Sequence, residues 1–266
     1  MTDPGDRRRI TIPKAAAMVC SDLRARILSG ELKEGTALPN EGQLMEIYGV
    51  SRPTIRESVR MLEAERLVVV KRGAGGGPRV KLPDADDAAR YVSMVLQLQG
   101  VTVDDVFEAR AMLEPAAVRR LADDATEEEL GVLEAIHARN AALVEDPVEF
   151  AGVATEFHHA LLELSSSRTV ALIGKVLSEI MDAHHRKTMR VLDVERRKGA
   201  EDRTIRDHEA LLQALRTHDG ELASLLWARH LSNARHLAAE SLGEHQVVQL
   251  APDDELSLDG EDPGAR

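Results

Sequence analysis

Between residues 14 and 29 apolar side chains recur at Val19, Leu23 and Ile27. A spacing of four puts them on one face of a helix, and Gly30 stands behind them as a stop. Gly35 and Pro39 punctuate the loop that follows, and Leu38-Pro39-Asn40-Glu41-Gly42-Gln43 opens a short second helix. Asn40 suits its N-cap, Gln43 reaches back as in a capping box, and Leu44 and Ile47 are expected to point inward. Gly49 permits a sharp turn. A third helix starts after Ser51, which suits an N-cap, with Pro53 in a first turn where backbone N–H groups lack helical partners anyway. At 100° per residue Ile55, Ser58, Val59 and Leu62 share the packing face. Pro53, Glu57 and Arg60 lie opposite, with Arg56 on the flank. Two helices joined by so tight a turn predict a helix-turn-helix.

The pattern then changes period. Leu67 to Lys71 is expected to be a strand, Gly73 to Gly77 a turn, and Pro78 to Leu82 a returning strand, which makes a small basic β-hairpin. From Pro83 onward the periodicity is helical. Breaks fall at Gly100, Asp123-Asp124, Asp146-Pro147, Ser165 to Ser167, Gly199 and Asp219-Gly220. That predicts about seven helices with short connections, hence antiparallel neighbours in a bundle. The fold class expected is mostly α: an N-terminal winged helix-turn-helix with a β-hairpin wing at 14–82, and a C-terminal antiparallel all-α bundle at 83–242. Residues 1–13 read as a flexible arm carrying Arg7-Arg8-Arg9, and the acidic stretch 243–266 as a disordered tail.

Composition sharpens this division. Aromatic residues make up only 2% of the chain, so the cores must be built from Leu, Val, Ile, Ala and Met, which favours helices over sandwiches. The formal net charge of −12 would disfavour a nucleic-acid partner if it were evenly spread. It is not. Residues 1–82 hold 15 Lys and Arg against 10 Asp and Glu, while the remainder holds 19 against 36. The positive charge sits with the turn and the hairpin, as in a DNA-binding module tied to an acidic domain. One cysteine, Cys20, excludes an intramolecular disulfide framework and suggests packing. No apolar run reaches the length that spans a bilayer, and Met1 to Ile12 lacks the apolar stretch of a signal peptide, so a cytoplasmic protein is expected.

The stretch ILSGELKEGTALPNEGQLMEIYGVSRPTIRESVRMLEAERLVVVKRG resembles the winged-helix domain of GntR-family bacterial transcription regulators, across nearly all of residues 14 to 82. That resemblance implies DNA contacts from Arg52, Thr54 and Arg56, and from the wing tip at Arg72 and Gly73. Arg60 is better placed for a phosphate than for a base. The family usually offers an arginine where this chain has Gly42, which removes one expected contact. Residues 84 to 240 resemble the all-helical FCD effector domain of the FadR-type branch. The segments that carry this are Val106 to Glu114, Glu156-Phe157-His158, His208 to Leu215, and Trp227 to Leu231. The resemblance implies a homodimer and a small effector in the bundle core, a carboxylate or acyl compound, in many members beside a metal.

Ten histidines occur, most of them suited to helix surfaces. His158, His208 and His230 stand apart, each on a different expected helix with apolar neighbours at helical spacing. Three imidazoles converging in a bundle core are what zinc or nickel would take, although a single histidine on an apolar face is more often a hydrogen-bonded core residue. The resemblance places the metal's usual aspartate at Ala154, which cannot coordinate. Glu156 turns about 200° away from His158 and cannot replace it. Arg110 and Glu114, at i and i+4, are either a helix-surface pair or, for Arg110, a fork onto an effector carboxylate. His184 and His185 diverge by 100° and are not expected both to face the core; His159 is a weaker candidate still.

Three functions fit these features. The first is a ligand-responsive regulator, expected to be a repressor, that binds a palindromic operator on double-stranded DNA as a homodimer. A metal-dependent enzyme built on the three histidines is the second, and the absence of a nucleophile or base at diagnostic spacing argues against it. The third is a constitutive DNA-binding protein whose bundle only dimerises.

Overall fold

A computed structural model describes residues 14–71, 73, 76–165, 167–243 and 247–248 of the chain. The arm at 1–13, Arg72 and nearly all of the tail lie outside the described residues. The chain divides into two compact units, Met1–Asp84 and Ala85–Arg266.

In the first unit α1 (Lys14–Leu28), α2 (Glu41–Tyr48) and α3 (Arg52–Ala64) precede β1 (Val68–Lys71) and β2 (Gly77–Val80). The strands pair antiparallel, with Val68 opposite Val80 and Lys71 opposite Gly77. The core is one cluster in which Val19, Cys20, Leu23 and Ile27 of α1 meet Leu44, Ile55, Leu62, Val68 and Val80. Ile47 departs from the expectation: it is 59% exposed. In this eight-residue helix Leu44 takes the buried centre, Met45 and Tyr48 pack partly against the core beside it, and Ile47 falls outside that arc.

The second unit holds seven helices: α4 (Ala85–Leu98), α5 (Val103–Asp124), α6 (Glu127–Ala141), α7 (Pro147–Leu164), α8 (Arg168–Val191), α9 (Val194–Arg216) and α10 (Gly220–Leu242). Their starts follow from capping chemistry. Thr102 and Thr126 form capping boxes with Asp105 and Glu129, while Asp146, Asp193 and Asp219 accept backbone N–H groups at the starts of α7, α9 and α10. One break moves. Gly199 lies inside α9 rather than before it, because the Asp193 cap starts that helix a turn and a half earlier. Val247 and Val248, which fall within the stretch read as a disordered tail, pack back on the bundle. The Val248 N–H donates to Val101 O at 3.0 Å, and its side chain is fully buried. Val248 finds a hydrophobic seat in the cluster formed by α4, α5, α8 and α10.

The largest core cluster joins α5, α6, α7, α9 and α10 around Phe157 and Trp227. Both lie against the histidines described next.

Candidate DNA interface and buried histidine pocket

The helix-turn-helix is built as its sequence dictates. Asn40 and Gln43 exchange backbone bonds at 3.0 Å each, and Gly49 takes φ 63°, a left-handed turn that costs glycine little. Ser51 is the N-cap residue of α3 by backbone conformation, yet its hydroxyl does not cap. It lies 2.9 Å from the Thr54 hydroxyl. Arg52 and Arg56 stand on the exposed side of α3, each loosely paired with Glu41 of α2 at 3.6 and 3.7 Å, and Arg60 is 3.8 Å from Glu57. Exposed pairs at such distances are weak, so phosphates or guanine edges would displace them readily. Gly73 has φ 100° at the tip of the hairpin. Arg72 lies outside the described residues.

In the second unit α7, α9 and α10 bring His158, His208 and His230 together, with one ligand atom from each lying within 4.8 Å of the others. All three are buried. His158 Nε2 is 3.3 Å from His230 Nε2. Phe157 stacks on His208 at 4.0 Å between centroids, and Trp227 lies over His158 and His230.

Beneath them Glu114 is completely buried. Its carboxylate accepts from Arg110 Nε at 2.6 Å and from Trp227 Nε1 at 2.9 Å, and lies 3.2 Å from His158 Nδ1. Burial alone would raise its pKa, but the Arg110 charge and the His158 hydrogen bond outweigh it, and the carboxyl stays well below the usual range. Burial likewise drives His158 down to about 3, and it takes His208, aided by His230 and His158, well below its ordinary value. These two imidazoles are neutral at pH 7, the form that binds a cation.

His158 Nδ1 also lies 2.7 Å from an Arg110 terminal nitrogen. One ring nitrogen cannot accept from Arg110 and donate to Glu114 at once. With the proton on Nε2, a chain runs from Arg110 through His158 and His230 to Asp207, which is 3.4 Å from His230 Nδ1. With the proton on Nδ1, Glu114 accepts it and Nε2 is free for a metal.

Of these side chains Arg110, His158, Asp207 and His230 border a cavity of about 390 Å³ between α5, α7, α8, α9 and α10, while Glu114 and His208 lie behind its wall. Arg110, Arg196 and Arg203 line it together with His184 and His185. The expectation that adjacent histidines cannot both turn inward fails, because α8 packs against α4, α5, α7 and α10, so directions 100° apart both remain inside. His159 pairs instead with Glu179 at 3.5 Å. Arg110 and Glu114 are no surface pair. Ala154 is buried, and Glu156 turns outward to Arg139.

Residues 15–76 match the model described as bacterial regulatory proteins, gntR family, and residues 105–233 match the FCD domain. The chain belongs to the GntR family. Among its relatives are proteins named HTH-type transcriptional repressor NanR. That of Enterobacter sp. (strain 638) is 28% identical over 232 residues, covering 85% of this chain and 86% of the relative. That of Klebsiella aerogenes is 27% identical over 246 residues, at the same coverage. A solved structure titled Streptococcus agalactiae GntR shares the fold at a TM-score of 0.63 and 23% identity, covering 83% of this chain and 99% of that one. This GntR-family protein is thus a DNA-binding transcription regulator and not an enzyme. No helix among the described residues is long and apolar enough to cross a membrane.

Asp207, Trp227 and His137 were missed in the sequence. Asp207 had no signal beyond residue type and its place beside His208, because adjacent helical residues point 100° apart. Trp227 stood within the segment Trp227 to Leu231 that carries the resemblance, with no role drawn from it, and His137 had no signal beyond residue type.

Proposed function

We propose that this chain represses transcription as a homodimer on a two-fold operator, and that an acidic small molecule entering the α5/α7–α10 cavity relieves that repression. The observation that carries the reading is one cavity lined by buried Arg110, His158, His184 and His230, with Arg196 and Arg203 on its exposed side, a lining that stabilises a carboxylate. Arg52, Thr54, Arg56 and the wing tip at Arg72 and Gly73 contact the operator, with Arg60 on a phosphate. Arg110, His158 and His230 face the effector, and His208 stands behind the two histidines in the same cluster. The exposed stripe Tyr91, Met94, Val95 and Leu98 on α4 supports dimerisation through the bundle.

His158, His208 and His230 also suit zinc or nickel. His208 is wholly buried with neither ring nitrogen hydrogen-bonded, a state that coordination would relieve. Three neutral imidazoles leave a position open, and a cation there would supply a Lewis-acidic site for an effector carboxylate. With Ala154 in place of a fixed carboxylate, the hold is weaker than in a three-histidine, one-carboxylate set.

Native mass spectrometry of the purified full chain tests both points: a dimer carrying a metal or an acidic ligand is expected. Calorimetry should show zinc binding lost in His208→Ala and tightened in Ala154→Asp. If no ligand co-purifies and a panel of sugar acids and dicarboxylates leaves operator affinity unchanged, the bundle only dimerises and the protein is constitutive.

A further inference from the structure

Each histidine of the cluster needs its ring held in one orientation and one tautomer, and two of them have a carboxylate at Nδ1, which for His158 shares that atom with Arg110. Glu114 faces His158 Nδ1 at 3.2 Å, and Asp207 faces His230 Nδ1 at 3.4 Å. A histidine that binds a cation through one nitrogen almost always donates the other N–H to such an outer partner. His208 has no carboxylate, and both of its ring nitrogens lack a hydrogen-bond partner.

Phe157 covers one face of the His208 ring, stacked 12° from parallel, so polar contacts are left to the ring edges. His158 and His230 lie with centroids 6.3 and 5.1 Å away. Beside His208 stands a fourth imidazole, His137 of α6, edge-on at 6.2 Å and 61°. Its Nδ1 is itself buried and unpartnered. Two unsatisfied polar groups on neighbouring rings are a costly coincidence unless they complement each other.

We propose that His137 is the positioning residue of His208: its Nδ1 accepts the His208 ring N–H, directly or through one water, and so fixes which His208 nitrogen faces His158 and His230. Histidine χ2 is a soft torsion, and a single bridging water spans a gap too wide for direct contact. His137 is half-buried, so it can hold its own proton on Nε2 and leave Nδ1 as an acceptor. The pocket is then a set of three imidazoles, each with its own outer partner. This deepens the metal reading given above, but the tautomer assignment stands without a metal.

The test uses the full-length, metal-free protein labelled with 15N-histidine, in which long-range proton–nitrogen spectra report the His208 tautomer. One tautomer is expected in the parent. His137→Phe, which keeps a ring and removes the acceptor, should populate both tautomers, and His137→Asn, which returns an oxygen near the Nδ1 position, should restore one. Zinc titration of the same proteins should show His137→Phe weakened about 10- to 100-fold and His137→Asn near the parent. A merely structural role would lower the metal-free unfolding midpoint without moving the tautomer. If the phenylalanine ring prevents folding, His137→Ala removes the acceptor without added bulk and is read in the same way. An unchanged tautomer in the acceptor-less variant overturns the proposal. If the parent binds no zinc, the metal reading falls, while the tautomer spectra still decide the role of His137.

Discussion

At His158, His208 and Glu114 the bundle buries groups that titrate, and their protonation has a definite sign. The folded pKa values of His158, about 3, and of His208 lie below the 6.5 of a solvated imidazole. As the pH falls below 6.5 the unfolded chain takes up protons that these two rings refuse in the folded state, so stability is lost on acidification. The loss is about 1.4 kcal/mol per pH unit for each ring while the pH stays between the two values. Glu114, also depressed, works in the same direction below about pH 4.5. Urea midpoints measured from pH 7.5 to 5 should hold near their plateau to about pH 6.5 and then fall, and a flat profile down to pH 5 would contradict the neutral buried rings. On the DNA side, Arg52→Ala and Arg56→Ala should each weaken specific operator binding by about 1 to 3 kcal/mol in an anisotropy titration, with fold and oligomeric state unchanged. Turn, wing and local charge in the sequence point to these two arginines, and the structure leaves both exposed on α3. Arg110 and Glu114 were legible as an i, i+4 pair, but their burial was not. That depends on Trp227 arriving from a helix more than a hundred positions later, and helical spacing carries no such information.

Among the described elements, α4 exposes the most large apolar side chains. Tyr91, Met94, Val95 and Leu98 follow i, i+3, i+4 and i+7, a full helical stripe, and all are exposed, Leu98 at 82%. If this stripe joins two bundles, Val95→Lys should shift the full-length protein from dimer toward monomer in sedimentation at micromolar concentration and weaken operator binding with it. A dimer as tight as the parent's would move the interface elsewhere. Helix count and most starts were readable from caps and periodicity. Gly199 misled because glycine signals a stop only by default: here it lies inside α9, where it lines the cavity. Ile47 misled because a helix of two turns has more apolar side chains than packing face. His184 and His185 misled because a helix with neighbours on several sides has no single inner face.

Over the whole molecule, each buried cluster belongs entirely to one unit: one in Met1–Asp84 and three in Ala85–Arg266. The basic and acidic halves of the sequence had already separated these units by charge, and the boundary near residue 84 follows the proline there. Separate cores melt separately. Differential scanning calorimetry should resolve two endotherms, and a compound that lodges among the helices of the second unit should raise only one of them, by RT ln(1 + [L]/Kd) in free energy. The endotherm that stays put is an internal thermometer within every sample. A library of organic acids can therefore be ranked on this protein before its operator or any gene it governs is known.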